Sequence, residues 1–147
     1  MTFASPAPPA TVETRFGTFP VAAADIVHFA HGVPGFESCR QFVLISAPEL
    51  LPFTCLHGID APGPSFLTLD PRQIVAAYQS PLGAAERSRL DAAPEEPLLW
   101  LAIVHVDDDA ITANLRAPIV INPRRMLGLQ VMGADTPWAA DHRLTGE

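Results

Sequence analysis

Residues 98–133 read LLWLAIVHVDDDAITANLRAPIVINPRRMLGLQVMG, four apolar runs cut by turn signals. Leu98–Val106 is apolar and rich in β-formers, Asp107-Asp108-Asp109-Ala110 is a polar tip, and Ile111–Leu115 returns, which predicts a hairpin. Ala117–Asn122 and Met126–Gly133 make a second pair around Asn122-Pro123. Two adjacent hairpins of this kind set the expectation for the rest of the chain.

Upstream the same alphabet recurs. Thr11–Phe19 alternates Val12, Thr14, Phe16 and Thr18 against Glu13, Arg15 and Phe19, read as one strand with Gly17 as a bulge. Ile26–His31 reads as a short strand with His28 and His31 on opposite faces. Gln41–Ser46, Phe53–Ile59 and Ser65–Asp70 are further β-rich runs bounded by Pro48, Pro52, Pro64 and Pro71, and Ile74–Tyr78 extends as another short strand or edge. Only Gly83–Ala93 has the character of a helix, and its thin apolar side marks it as a surface cap. Strands spaced at about 8–12 residues predict a mainly β, small antiparallel barrel-like or sandwich single domain, with one short surface helix near residues 83–93. It would span 11–144, between a flexible Pro-rich arm at 1–10 and a tail at 145–147.

Composition narrows the chemistry. All nine basic residues among the 147 are arginines. Without lysine there is no P-loop lysine for a nucleotide triphosphate and no amine for a Schiff base or pyridoxal cofactor. A hydrophobic content of 48% with 17% charged residues is that of a chain with a core. The net charge of −7 opposes binding to a phosphate backbone. The longest apolar run, Leu98–Val104, has seven residues against the ~20 a membrane helix needs. Met1–Ala10 has neither the basic start nor the apolar stretch of a signal peptide, so a cytoplasmic protein without membrane contact is expected.

Catalytic signatures are thin. Cys39 and Cys55 form no CxxC pair and read as two reduced, partly buried thiols, a single disulfide being the lesser alternative. Cys55 and His57 share a strand face two residues apart, and with His105 they are the candidates for a pocket in a small β-barrel enzyme or ligand-binding protein. Parallel side chains two apart align poorly as nucleophile and base, so a half-buried thiol beside a surface histidine is the plainer reading. Neither the histidines nor Asp107–Asp109 have metal-ligand spacing, and no metal or cofactor is expected. The aspartates read as a solvated hairpin tip or as an acidic contact surface for a basic partner. In Gly32-Val33-Pro34-Gly35-Phe36-Glu37, Pro34 and Gly35 predict a type II turn that sets Phe36 beside Glu37. Phe36 then either plugs the core or anchors a protein partner.

Taken in order, these pieces resemble the FliW family of flagellar assembly factors. The match runs from Ile26…Phe29 into GVPGFE at 32–37, Phe42-Val43-Leu44, Pro52-Phe53-x-x-Leu56, Ser65-Phe66-Leu67…Asp70-Pro71 and Tyr78. It closes with NLRAPIVIN at 114–122 and Gly128-x-Gln130-Val131. The pattern departs at His57-Gly58, where the family usually has Gln-Ser. The resemblance implies a β-barrel-like protein without enzymatic activity that binds the RNA-binding translational regulator CsrA and relieves its repression of flagellin mRNA. It also implies that free flagellin takes up the factor, a flagellin chaperone without CsrA control being a lesser alternative. Phe36 and Glu37 are expected near a protein-contact surface, with Asp107, Asp108 and Asp109 adding negative charge against RNA.

Overall fold

In the computed structural model, which describes residues 11–60, 63–132 and 136–144, the strands are short and close into a ring. In chain order they are β1 (Thr11–Thr14), β2 (Gly17–Pro20), β3 (Ile26–His28), β4 (Gln41–Ile45), β5 (Thr54–Gly58), β6 (Ser65–Leu69) and β7 (Leu99–Val106). Then follow β8 (Ile111–Ala113), β9 (Ile119–Asn122), β10 (Leu127–Gln130) and β11 (His142–Arg143). The ring is β3-β4-β5-β6-β7-β9-β10 and back to β3, a closed seven-stranded barrel. Every pair in it is antiparallel except β3–β10, which run parallel with Leu127 opposite His28. Of the two expected architectures, the barrel is the one formed, and the mainly β class holds. The expected arm at 1–10 and tail at 145–147 lie outside the described residues.

β7 does two jobs because it is eight residues long. Leu99–Leu101 pair with β9 and close the ring, while Val104–Val106 pair with β8 on the same edge. β11 adds to β8, so a three-stranded flap continues from the barrel wall.

Pleating sends alternate residues inward. Phe42 and Leu44, Leu56, Phe66, Leu101 and Ile103, and Ile119 and Ile121 fill the barrel with Val27 and Phe29. The rings of Phe29 and Phe42 stand 4.9 Å apart. The outward faces are covered too. The β1–β2 hairpin lays Val12 and Phe19 on Val43, Ile45 and Cys55. Tyr78, its ring tilted 36° to that of Trp138 with centroids 4.8 Å apart, lies over Ala102 and Val104. Leu90 seals Val120 and Leu129. With both faces buried, QFVLI, LWLAIV and APIVIN are continuous apolar runs rather than alternating ones.

Local chemistry explains where the elements differ from the expectations. Thr11–Phe19 is not one strand: it turns at Arg15-Phe16, where Thr14 Oγ1 donates to Gly17 C=O at 2.8 Å and accepts from Phe16 N–H at 3.0 Å. Gly17, at φ +130°, is the turn residue rather than a bulge. Ile26–His31 stops as a strand at His28, because Gly32 N–H bonds back to Phe29 C=O at 3.0 Å. Ile74–Tyr78 is not a strand either. Asp70 caps a one-turn helix α1 (Pro71–Ile74), accepting from Arg72 N–H at 2.9 Å, with Pro71 at its first position. The expected surface helix is α2 (Ala84–Arg89); no residue within it is buried, and the chain leaves it through Leu90 and Asp91 at φ +51°. No helix among the described residues is long and apolar enough to cross a membrane.

Candidate functional site

The hexapeptide after β3 forms the turn its sequence predicts. Gly35 sits at φ +90°, Phe36 N–H bonds to Val33 C=O at 2.7 Å, and Glu37 Oε2 accepts from Gly35 N–H at 3.0 Å. That bond holds the exposed Glu37 carboxyl below its ordinary range. Gly32 is required by packing as well as by its φ of +65°: a Cβ there would come 2.7 Å from the Glu37 Cα. Phe36 is half-buried, packs on the barrel core and meets the Phe66 ring edge-on, centroids 5.6 Å apart.

The registers place this turn relative to the acidic tip. His28 faces Gln41, Phe42 faces Gly58 and His57 faces Ser65, so the ends of β3, β5 and β7 lie at one mouth of the barrel. Phe36 and Glu37 follow β3, and Asp107, Asp108 and Asp109 follow β7, so all five sit at this mouth. Asp107 is consumed by its own hairpin: Oδ1 accepts from Asp109 and Ala110 N–H, both at 2.9 Å. Those bonds, first the one from Ala110, hold its carboxyl below the ordinary range. Asp108 and Asp109 are exposed. Among the described residues no hydrogen bond or ion pair joins Glu37 to these aspartates.

A groove of ≈ 480 Å³ at the rim of this mouth is lined by Phe36, Phe66, Ile103 and His105 together with Glu13, Arg15 and His57. His57 and His105 both line it, as the pocket reading expected, although from opposite faces of the barrel wall, and Cys55 does not join them. Cys55 is fully buried under the β1–β2 hairpin, and burial pushes its thiol up to about 11, against the pull of Arg15. A thiol so protonated is no nucleophile. Cys39 is buried as well, its thiol raised by burial and donating to Asp60 C=O at 3.4 Å. Nor is His57 a surface histidine: it is 7% exposed, and burial lowers its pKa, keeping the ring neutral.

The partner of His57 is Ser65, which the sequence reading had not singled out: Nδ1 stands 2.7 Å from Oγ. The signal was available, since β5 and β6 pair across a short turn, but the register had to be known to see it. Serine and histidine alone do not make an acyl-transfer site. Among the described residues no carboxylate orients the ring, and no three His, Cys, Asp or Glu side chains are disposed to hold a metal.

The sequence model of the FliW protein family matches residues 10–144. The chain belongs to the FliW family. Its relatives include the flagellar assembly factor FliW of Desulfitobacterium hafniense strain Y51, 34% identical over 136 residues, covering 91% of this chain and 90% of that protein. That of Geobacillus kaustophilus is 35% identical over 139 residues, covering 92% and 96%. The crystal structure of a flagellar assembly factor FliW superimposes with a TM-score of 0.84 at 34% identity, over 93% of this chain and 98% of that one.

Much of what carries the FliW resemblance turns out to build the barrel. Asn114 Oδ1 accepts from Arg116 and Ala117 N–H, both at 3.0 Å, and shapes the turn into β9. Asn122, fully buried, donates to Leu90 C=O at 2.8 Å and accepts from Arg124 N–H at 3.1 Å. Gln130 donates to Ala117 C=O at 2.9 Å, and the Tyr78 hydroxyl to Leu115 C=O at 2.8 Å. At the His57-Gly58 departure from the FliW pattern, a side chain on Gly58 would run into Cys39 and come 2.8 Å from Pro64.

Proposed function

We propose that this protein is a non-enzymatic, cytoplasmic flagellar assembly factor that acts by exchanging protein partners. It binds a CsrA-type translational regulator, relieves its repression of flagellin mRNA, and binds flagellin, whose free pool then sets how much regulator is held. Family membership over residues 10–144, among relatives named as flagellar assembly factors, carries this reading. The charge supports it. A protein of net charge −7 attracts a basic RNA-binding partner and repels the RNA phosphates over about one Debye length, ~8 Å at physiological salt. Direct binding of nucleic acid is disfavoured for the same reason.

The contact surface in this proposal is the mouth that carries Phe36, Glu37, Asp107, Asp108 and Asp109. Phe36 contributes the exposed part of its half-buried ring, and Asp108 and Asp109 contribute charge that no hairpin bond uses. The double variant Asp108→Arg/Asp109→Arg leaves the Asp107 turn intact and tests the mouth. Calorimetry against CsrA at low salt should show affinity reduced by about tenfold or more, since like charges replace complementary ones. Unchanged affinity would remove the acidic tip from the contact surface.

A further inference from the structure

The groove beside the mouth has polar groups that the barrel does not use. Arg15 is exposed on the β1–β2 turn, its guanidinium 4.7 Å from the centre of the Phe16 ring, and among the described residues it makes no ion pair. His57 is more than nine-tenths buried, yet only its Nδ1 is bonded, to Ser65. No side-chain polar atom among the described residues is both buried and unsatisfied, so His57 Nε2 opens onto the groove.

The Ser65 bond is compatible with a ring proton on Nε2. Ser65 Oγ accepts from the Arg15 backbone N–H at 3.4 Å and stands 2.7 Å from His57 Nδ1, in a bond whose direction follows the tautomer of the ring. In the tautomer with Nδ1 accepting from Oγ, the ring proton is on Nε2 and faces out. In that tautomer the groove presents a guanidinium and a neutral ring N–H, and Phe36 and Phe66 line it as well. Two such donors suit a single carboxylate. Glu13 lines the groove too and repels any anion there, a doubly charged phosphate more strongly than a singly charged carboxylate.

We propose that this groove binds a carboxylate carried next to an apolar side chain, presented by a segment of a protein partner. Arg15 and His57 Nε2–H hold the carboxylate, and Phe36 and Phe66 take the apolar group. The complementarity is specific: an acidic segment is repelled by most of this protein and is accepted where Arg15 stands unpaired. The inference rests on the reading that this mouth meets proteins, and it gives that contact its chemistry.

Nuclear magnetic resonance titration of the full chain with the blocked peptide acetyl-Ala-Phe-Glu-Ala-amide tests it. Saturable shifts are expected at the amides of Arg15, Phe36, His57, Ser65 and Ile103. The Gln-for-Glu peptide, and separately the Arg15→Gln protein, should bind about tenfold more weakly or worse, the loss of a charge-assisted pair. Arg15 is exposed, so this variant tests the groove without disturbing the core. No saturable shifts in the groove, equal binding of the Gln peptide, or binding indifferent to Arg15→Gln would each overturn the proposal. Free N-acetylphenylalanine binding more tightly than the blocked peptide would overturn the protein-segment assignment in favour of a small molecule. If the peptide fails while calorimetry still shows regulator and flagellin binding, the groove assignment alone falls.

Discussion

Gly128 and His57 show how differently two residues reveal themselves. A Cβ at Gly128 would come 2.6 Å from Phe29 Cζ, a constraint set by a ring far away in sequence and invisible in the run LGLQ. Gly35 was legible because the positive φ of a type II turn is a local demand that Pro34-Gly35 states outright. His57 reads as a surface residue in sequence because its burial comes from chain segments that the fold brings alongside β5. That burial predicts a pH dependence. The folded ring has its pKa below the ordinary 6.5, so as pH falls the unfolded chain takes up the proton first. The contribution is fully present above 6.5, declines as pH falls toward the folded pKa, and changes no further below it. Denaturation midpoints of the wild type and His57→Gln, compared between neutral pH and about pH 5, should show a smaller acid loss in the variant. An identical loss would mean that the ring titrates as if exposed.

At the scale of elements, hairpin signals were reliable and faces were not. The acidic tip and Asn122-Pro123 marked the β7–β8 and β9–β10 returns correctly, because turn chemistry is local. The β1–β2 turn was missed, since a lone glycine in an alternating pattern reads equally well as a bulge. The one-turn helix α1 was missed because four residues have no periodicity to detect; Asp70-Pro71 was its whole signal. The helix cap was expected at 83–93, and its anchor proves to be Leu90, fully buried just past the last turn of α2. Leu90→Ala removes the side chain that fills the space against Val120 and Leu129, while Asn122 still finds the backbone carbonyl at position 90. It should cost about 2–5 kcal/mol in chemical denaturation, the range of buried leucine truncations. A loss below about 1 kcal/mol would mean that α2 is not part of the cooperative fold.

For the whole molecule, the family pattern was legible in sequence, and the reason is physical. The residues that carry the resemblance, from Gly32 and Gly35 to Asn114, Asn122 and Gln130, form bonds that hold the barrel and its mouth. A recognition surface needs only exposed charge and a half-buried ring, which in sequence look like any turn. The measurement that bears most directly on the account is a three-component binding assay. Purified CsrA is held on the leader of flagellin mRNA, this protein is added, and flagellin is added last. The account predicts that the RNA is released at the second step, less efficiently as salt rises, and that flagellin restores the repressor–RNA complex at the third. RNA that stays bound at low salt with this protein in excess would contradict it.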